Sequence, residues 1–170
     1  VGFSANGNWI VGGDKASTSL RWSVQDGRID RESAASIGLP IVTLDESKVV
    51  ALTSEASPRL RIWNFATRQE EPSIDLDMPA ESPAWVPFIA NASKDGRTLV
   101  RAWVQGVAGN ARFRLTSIHL GDAPEVRHRD FGPTRPTALG VDSRGPWAFF
   151  GAHDDPTQHA FWRSNRDGWE

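Results

Sequence analysis

Two histidines and two aspartates lie close together near the end of the chain, in the segment from Gly151 to His159. Imidazole nitrogens and carboxylate oxygens are both competent ligands for divalent cations, so His153, Asp155 and His159 are candidate metal ligands. The same segment also has the chemistry of a turn, because Asp-Asp-Pro favours chain reversal and Asp side chains bond to nearby backbone amides. We favour the turn, and no metal site or other cofactor is predicted.

The sequence lacks the usual motifs of a catalytic centre. It contains no Cys and no G-x-S-x-G nucleophile motif. The glycines of Val11 to Asp14 are not followed by the Lys-Ser/Thr pair and helix of a phosphate-binding loop. Paired carboxylates such as Glu70 and Glu71 lie in polar stretches, whereas acid–base catalysis needs a carboxyl group with a shifted pKa. No catalytic residue is predicted.

A repeated pattern of turns and strands would position these side chains. Four short segments rich in turn residues are Ala5-Asn6-Gly7, Asp45-Glu46-Ser47, Lys94-Asp95-Gly96 and Ser143-Arg144-Gly145. Residues of this kind tolerate the positive φ that tight hairpin connections require. The last residues of these turns are separated by 40, 49 and 49 positions. Such a period is typical of propeller blades and is too long for leucine-rich or ankyrin repeats.

Strand-like alternation follows each turn. In the first copy, Leu20, Trp22 and Val24 alternate with polar residues, so they share one face of a strand. A large apolar residue recurs 15, 16, 19 and 17 positions after the successive turns, as Trp22, Trp63, Leu115 and Trp162. The segment from Asp30 to Ile37 is short and mostly polar, which indicates an outer strand with a loop. The candidate core comprises Trp9, Ile10, Val11, Leu20, Trp22, Val49, Leu52, Ile62, Trp63, Leu99, Trp103, Phe113, Leu115, Phe149, Phe150 and Trp162.

The first copy, FSANGNWIVGGD followed by LRWSVQDGR, resembles the repeat of the WD-repeat β-propellers, and RIWNFATRQ and FIANASKDGRTLV are similar to parts of it. Ser23, Asn64 and Arg163 stand where the family has Asp after Trp, and the Gly-His pair is absent from all four copies. The resemblance therefore implies a divergent member without the family's Asp–His–Ser–Trp hydrogen-bond network. It implies an all-β propeller segment of about four antiparallel four-stranded blades.

The expected blades are 1–38, 39–79, 80–132 and 133–170. In the family, each repeat supplies the outer strand of one blade and the inner strands of the next. We therefore expect the chain to be part of a larger propeller, with the remaining blades as one partner. Another hypothesis is a closed four-bladed domain resembling the hemopexin type, indicated only by DSRGPWAFFGAHDD.

Composition narrows the class of partner. With 19 basic and 21 acidic side chains the net charge is −2, which would not attract a polyanion such as nucleic acid. No apolar run approaches the roughly 20 residues that cross a bilayer, so no membrane partner is expected. We expect a soluble protein and favour a cytoplasmic location.

Recognition is expected on the loops at one rim, because loops on a rigid scaffold commonly carry binding residues. The favoured function is a non-enzymatic protein-interaction scaffold or sensor segment that binds a protein or peptide. The alternative is a propeller hydrolase or lyase that uses carboxylates and His153 or His159, with or without a metal. The candidate partner-binding residues are Asp14, Lys15, Glu55, Arg59, Asn110, His153, Asp154 and Asp155.

Overall fold

The structure, a computed structural model, describes residues 2–4, 6–13, 19–30, 39–43, 48–53, 58–78, 84–106, 110–151, 159–165 and 168–169. The chain divides into two compact units, Val1–Pro79 with Lys94–Gly96, and Ala80–Ser93 with Arg97–Glu170.

All regular elements of the described residues are β-strands, because β-branched and aromatic residues dominate the segments between the turns. The first sheet contains β1 (Gly2–Phe3), β2 (Trp9–Gly13), β3 (Ser19–Ser23) and β4 (Ile29–Asp30). The second contains β5 (Leu39–Thr43), β6 (Lys48–Leu52), β7 (Arg59–Asn64) and β8 (Gln69–Asp75). The third contains β9 (Val86–Ala92), β10 (Thr98–Gln105), β11 (Arg112–His119) and β12 (Glu125–Phe131). The fourth contains β13 (Pro136–Asp142), β14 (Gly145–Gly151), β15 (His159–Asn165) and β16 (Gly168–Trp169).

Each sheet is a four-stranded antiparallel meander in which neighbours in sequence are neighbours in space. The predicted all-β architecture of four such sheets is confirmed. Because the strands alternate in direction, the first-to-second and third-to-fourth connections of a sheet lie at the same end. We call this the turn end. The second-to-third connection lies at the opposite end, which we call the rim end.

The predicted turns form where the structure describes them. Gly7, Gly96 and Gly145 have φ values of 76°, 71° and 118°, a region in which a Cβ atom would be strained. In the first turn, the Gly7 amide donates to the Ser4 carbonyl at 2.9 Å, and the Ser4 hydroxyl accepts from the Trp9 amide at 3.0 Å. The predicted turn at 45–47 lies outside the described residues.

In the first unit, the first and second sheets pack through a small apolar cluster. Its members are Val11, Val49, Ala51 and Phe65, with half-buried Trp63 against them. The Arg21 guanidinium lies 4.2 Å from the ring centroid of Trp9 and 4.3 Å from that of Phe65. A cation between two aromatic faces is stabilised by both, so Arg21 helps to join the two sheets.

In the second unit, the third and fourth sheets share a larger apolar cluster. Its buried members are Val100, Ala102, Leu115, Leu139, Ala148 and Phe150. The Phe131 ring at the end of β12 lies 4.6 Å from the Phe150 ring and 5.4 Å from the Trp162 ring, measured between centroids. The Asn91 side-chain amide also donates to the Leu139 carbonyl at 3.0 Å. Apolar packing and a hydrogen bond therefore both connect these sheets.

One expectation about the core and one about the repeated apolar landmark need correction. Trp22 is half-buried on the face opposite the second sheet, because it pairs with Ile10 while its neighbour Arg21 points toward Phe65. Leu99 lies three positions after the third turn, as Ile10 lies three positions after the first, and it pairs with Ile118. Ile118 therefore takes the place that Trp22 has in the first sheet, although Leu115 is also buried. A displacement of three residues moves a side chain to the other face of a strand.

The predicted burial of the core residues is confirmed in part. Nine of its sixteen residues are buried, namely Val11, Val49, Leu52, Ile62, Leu99, Trp103, Phe113, Leu115 and Phe150. Trp63 packs against the first cluster but stays half-buried. The expected outer strand from Asp30 to Ile37 corresponds to β4 (Ile29–Asp30), and residues 31–38 lie outside the described residues.

Candidate functional site

Two of the predicted partner-binding residues lie among the described residues, both at the rim end of their sheets. Arg59 begins β7, where its amide donates to the Thr53 hydroxyl at 2.9 Å and its exposed guanidinium lies 4.0 Å from Asp75. Asn110 is exposed in the connection between β10 and β11. Both are therefore accessible side chains anchored to the ends of regular strands.

The other predicted partner-binding residues lie outside the described residues: Asp14, Lys15, Glu55, His153, Asp154 and Asp155. Of the candidate metal ligands, only His159 has a described backbone, at the start of β15. Within the described part of the chain, no group of three or more His, Asp or Glu side chains is arranged to hold a metal ion.

A cleft of about 470 Å³ opens in the second unit, at the turn end of the third and fourth sheets. Its charged and titratable lining consists of His119, Glu125, Arg127 and Arg144. Arg127 donates to Glu125 at 3.0 Å, which neutralises that pair. Arg144 adds a second guanidinium, so Glu125, Arg127 and Arg144 together give the lining one net positive charge. The Arg144 charge also acts on Asp142 at the same turn.

Two buried serines belong to the same cleft. Ser117 and Ser164 are each 6% exposed and line the cleft together with Thr98, Ile118, Gly145 and Pro146. Neither serine hydroxyl bonds to another described side chain, whereas the Thr98 hydroxyl contacts His119 at 3.2 Å. The cleft thus combines hydroxyl groups that can donate hydrogen bonds with a cationic side chain.

The basic segment around Arg127 does not form one patch. Arg127 lines the cleft, while Arg129 lies 4.5 Å from the Trp162 ring centroid. His128 points to the other face of β12 and contacts the Thr116 hydroxyl at 2.9 Å. Arg135 lies over the Phe88 ring at 4.3 Å. Strand alternation therefore places His128 on one face of β12 and Arg127 and Arg129 on the other.

The described carboxylates with shifted pKa values are all held in the ionised form. Hydrogen bonding from Arg163 lowers the pKa of Asp142 to about 2, and Arg114 lowers that of Asp130. Hydrogen bonding from Arg61 lowers the pKa of Glu70. A general acid at neutral pH needs a shift in the other direction, so these groups act as ion-pair partners.

A buried polar chain crosses the third sheet. The Trp103 indole N–H donates to the Thr116 hydroxyl at 2.9 Å, and that hydroxyl also contacts His128 Nδ1 at 2.9 Å. Trp103 is 1% exposed and Thr116 is fully buried. Burial lowers the pKa of nearby Arg101 to about 10, and its guanidinium lies 5.8 Å from the Trp103 ring centroid.

An apolar row crosses the outer face of the first sheet. Phe3 pairs with Ile10, Ile10 with Trp22 and Trp22 with Ile29, so all four side chains share one face. Phe3 is 63% exposed and Ile29 is 40% exposed. Their row lies on the face turned away from the second sheet, and exposed apolar rows of this kind commonly mark interaction surfaces.

Comparison with solved structures shows that this chain has a β-propeller fold. The β-propeller domain of Myceliophteria thermophila Cps50 (Swd1) matches 97% of this chain with 15% identity and a TM-score of 0.63. The chain spans about half, 51%, of the length of that structure. The predicted divergent WD-repeat-like propeller fold is confirmed.

Two further solved structures are similar over 98% of the chain. U3-55K has 11% identity and the RRP9 WD40 repeats have 12%, each with a TM-score of 0.49 and 62% of its own chain covered. No protein-family model and no curated protein matches the sequence. The described part of the chain contains no helix that is long and apolar enough to span a membrane.

Proposed function

We propose that this chain is a non-enzymatic protein-interaction scaffold that binds a protein or peptide through the rim ends of its sheets. The observation that carries the proposal is the placement of Arg59 and Asn110, which are exposed at the rim ends of two regular antiparallel sheets. Rigid sheets hold such residues in fixed positions, which lowers the entropy cost of binding.

The proposed surface extends to the other predicted partner-binding residues by their place in the sequence. Asp14 and Lys15 follow β2, Glu55 follows β6, and Asp154 and Asp155 follow β14, all in second-to-third connections. His153 belongs to the same connection as Asp154. Their mixed charge suits a polar protein surface or peptide better than an apolar small molecule.

We also propose that the chain works as part of a larger propeller. The exposed apolar row of Phe3, Ile10, Trp22 and Ile29 supports this, since four-stranded blades bury both faces only against neighbours. The coverage of about half of the Cps50 structure is consistent with it.

A peptide selection would test the rim surface. Peptides are selected from a displayed random library on the 170-residue chain, synthesised, and measured for binding to the wild type and to an Arg59→Ala, Asn110→Ala double variant. We expect at least about a tenfold loss of affinity in the variant, because two polar contacts contribute about 1.4 kcal/mol or more together.

The matched control is Arg28→Ala, which removes an exposed cation at the turn end of the first sheet. It should leave both affinity and Tm unchanged. The proposal fails if the selected peptides bind the rim variant as tightly as the wild type while that variant keeps its Tm. Loss of binding on Arg144→Ala alone would place the contact in the cleft instead.

A further inference from the structure

We propose that the cleft at the turn end of the third and fourth sheets is a second docking site, which takes an acidic side chain of a peptide or protein. This site is separate from the proposed rim surface, because its residues lie at the other ends of the same strands. Thr98 begins β10 and His119 ends β11, so both lie next to first-to-second or third-to-fourth connections.

The charge of the lining favours an anion. Glu125 is already paired with Arg127, while the Arg144 guanidinium makes no ion pair within the described part of the chain. Arg144 is exposed in the two-residue connection between β13 and β14, where its amide donates to Asp142 Oδ1 at 2.8 Å. That bond fixes the connection through the backbone. The guanidinium also acts electrostatically on Asp142, and because the residue is exposed a ligand in the cleft can reach it.

The buried serines supply hydrogen bonds for the same anion. Ser117 and Ser164 are each 6% exposed, and both line the cleft. Neither hydroxyl makes a hydrogen bond to another residue in the described part of the chain. A hydroxyl can donate one hydrogen bond, so serines that line an open cleft can donate to a bound anion. A carboxylate has two oxygens, which can accept from a hydroxyl and a guanidinium together.

The size of the charge selects a carboxylate over a phosphate. The charged lining residues Glu125, Arg127 and Arg144 together carry one net positive charge. A carboxylate carries one negative charge, while a phosphomonoester carries about 1.5 to 2 near pH 7, with Glu125 close by to repel the excess. A cleft of about 470 Å³ also admits a side chain with its flanking backbone.

Fluorescence anisotropy with a labelled hexaglutamate peptide tests this assignment. Hexaglutamine of the same length and a phosphoserine peptide without acidic side chains serve as comparison probes. We expect hexaglutamate to bind more tightly than both, and Arg144→Ala to weaken its binding at least about fivefold, since charge-assisted hydrogen bonds are the stronger class. The Ser117→Ala, Ser164→Ala double variant should also weaken binding, because its charge is unchanged but two donors are lost.

The Arg28→Ala control removes the same charge from a residue that does not line the cleft, and it should bind hexaglutamate like the wild type. Equal binding by wild type and Arg144→Ala, or an equal loss in Arg28→Ala, overturns the proposal. Preference for the phosphoserine peptide overturns the carboxylate assignment. Far-UV circular dichroism verifies that each variant is folded. The rim variant Arg59→Ala, Asn110→Ala should retain hexaglutamate binding, so the two sites are tested separately.

Discussion

Replacing Thr116 by Val tests whether the buried polar chain stabilises the third sheet. The substitution keeps the shape of the side chain but removes the oxygen that accepts the Trp103 indole N–H at 2.9 Å. Trp103 is 1% exposed, so water cannot easily replace the lost acceptor. The variant also removes the hydroxyl contact of His128.

The expected cost follows from the unsatisfied donor. A buried N–H without an acceptor costs about 1 to 3 kcal/mol, and the added methyl group recovers part of this because the site is otherwise apolar. We expect the free energy of unfolding to fall by about 1 to 2 kcal/mol. With a urea m value of about 2 kcal/mol/M, the unfolding midpoint should move down by about 0.5 to 1 M.

Urea unfolding monitored by tryptophan fluorescence measures this shift. Thr98→Val is the matched control, because it removes a hydroxyl from the same sheet whose partner His119 is exposed to water. Its free energy of unfolding should change by no more than about 0.5 kcal/mol, as is usual for surface substitutions. Equal midpoints for Thr116→Val and Thr98→Val, with the same m value, would refute the stabilising role of the Trp103 hydrogen bond.

Two further predictions concern acid stability and association. The ion pair with Arg114 lowers the pKa of Asp130, so its stabilisation is complete above the unfolded-state pKa of about 4 and is lost as pH falls through the folded-state pKa. Tm measured from pH 7 to pH 2 should therefore fall less steeply in Asp130→Asn than in the wild type, and an unchanged slope contradicts this. The isolated chain should self-associate through its exposed apolar row, and Phe3→Ser with Ile29→Ser should reduce its sedimentation coefficient; a monomeric wild type contradicts that expectation.

Much of the fold could be predicted because its signals are local. The glycines at 7, 96 and 145 adopt positive φ where the turn chemistry predicted reversals. Faces were harder to predict. Leu115 kept its burial but not its predicted equivalence to Trp22, because the number of residues between turn and landmark differs among the copies.

The cleft could not be predicted by the same means. Its serines, Ser117 and Ser164, lie on strands of different sheets, and Arg144 comes from a turn that the sequence marked only as a hairpin. The contacts of Arg129 were equally hard to predict. Nothing local distinguishes Arg129 from Arg127, yet Arg129 stacks on Trp162 and Arg127 pairs with Glu125. Arg127 and Arg129 lie two residues apart on the same face of β12, so their different contacts depend on what packs beside each position.

By itself, the amino-acid sequence determined where the chain turns and which segments are strands, since both depend on backbone preferences and two-residue periodicity over a few neighbours. The tertiary structure decided which faces meet, which charges are paired and which remain available in the cleft. Those properties depend on residues far apart in sequence, such as Phe131 with Trp162 and Asn91 with Leu139, that become neighbours only when the sheets pack.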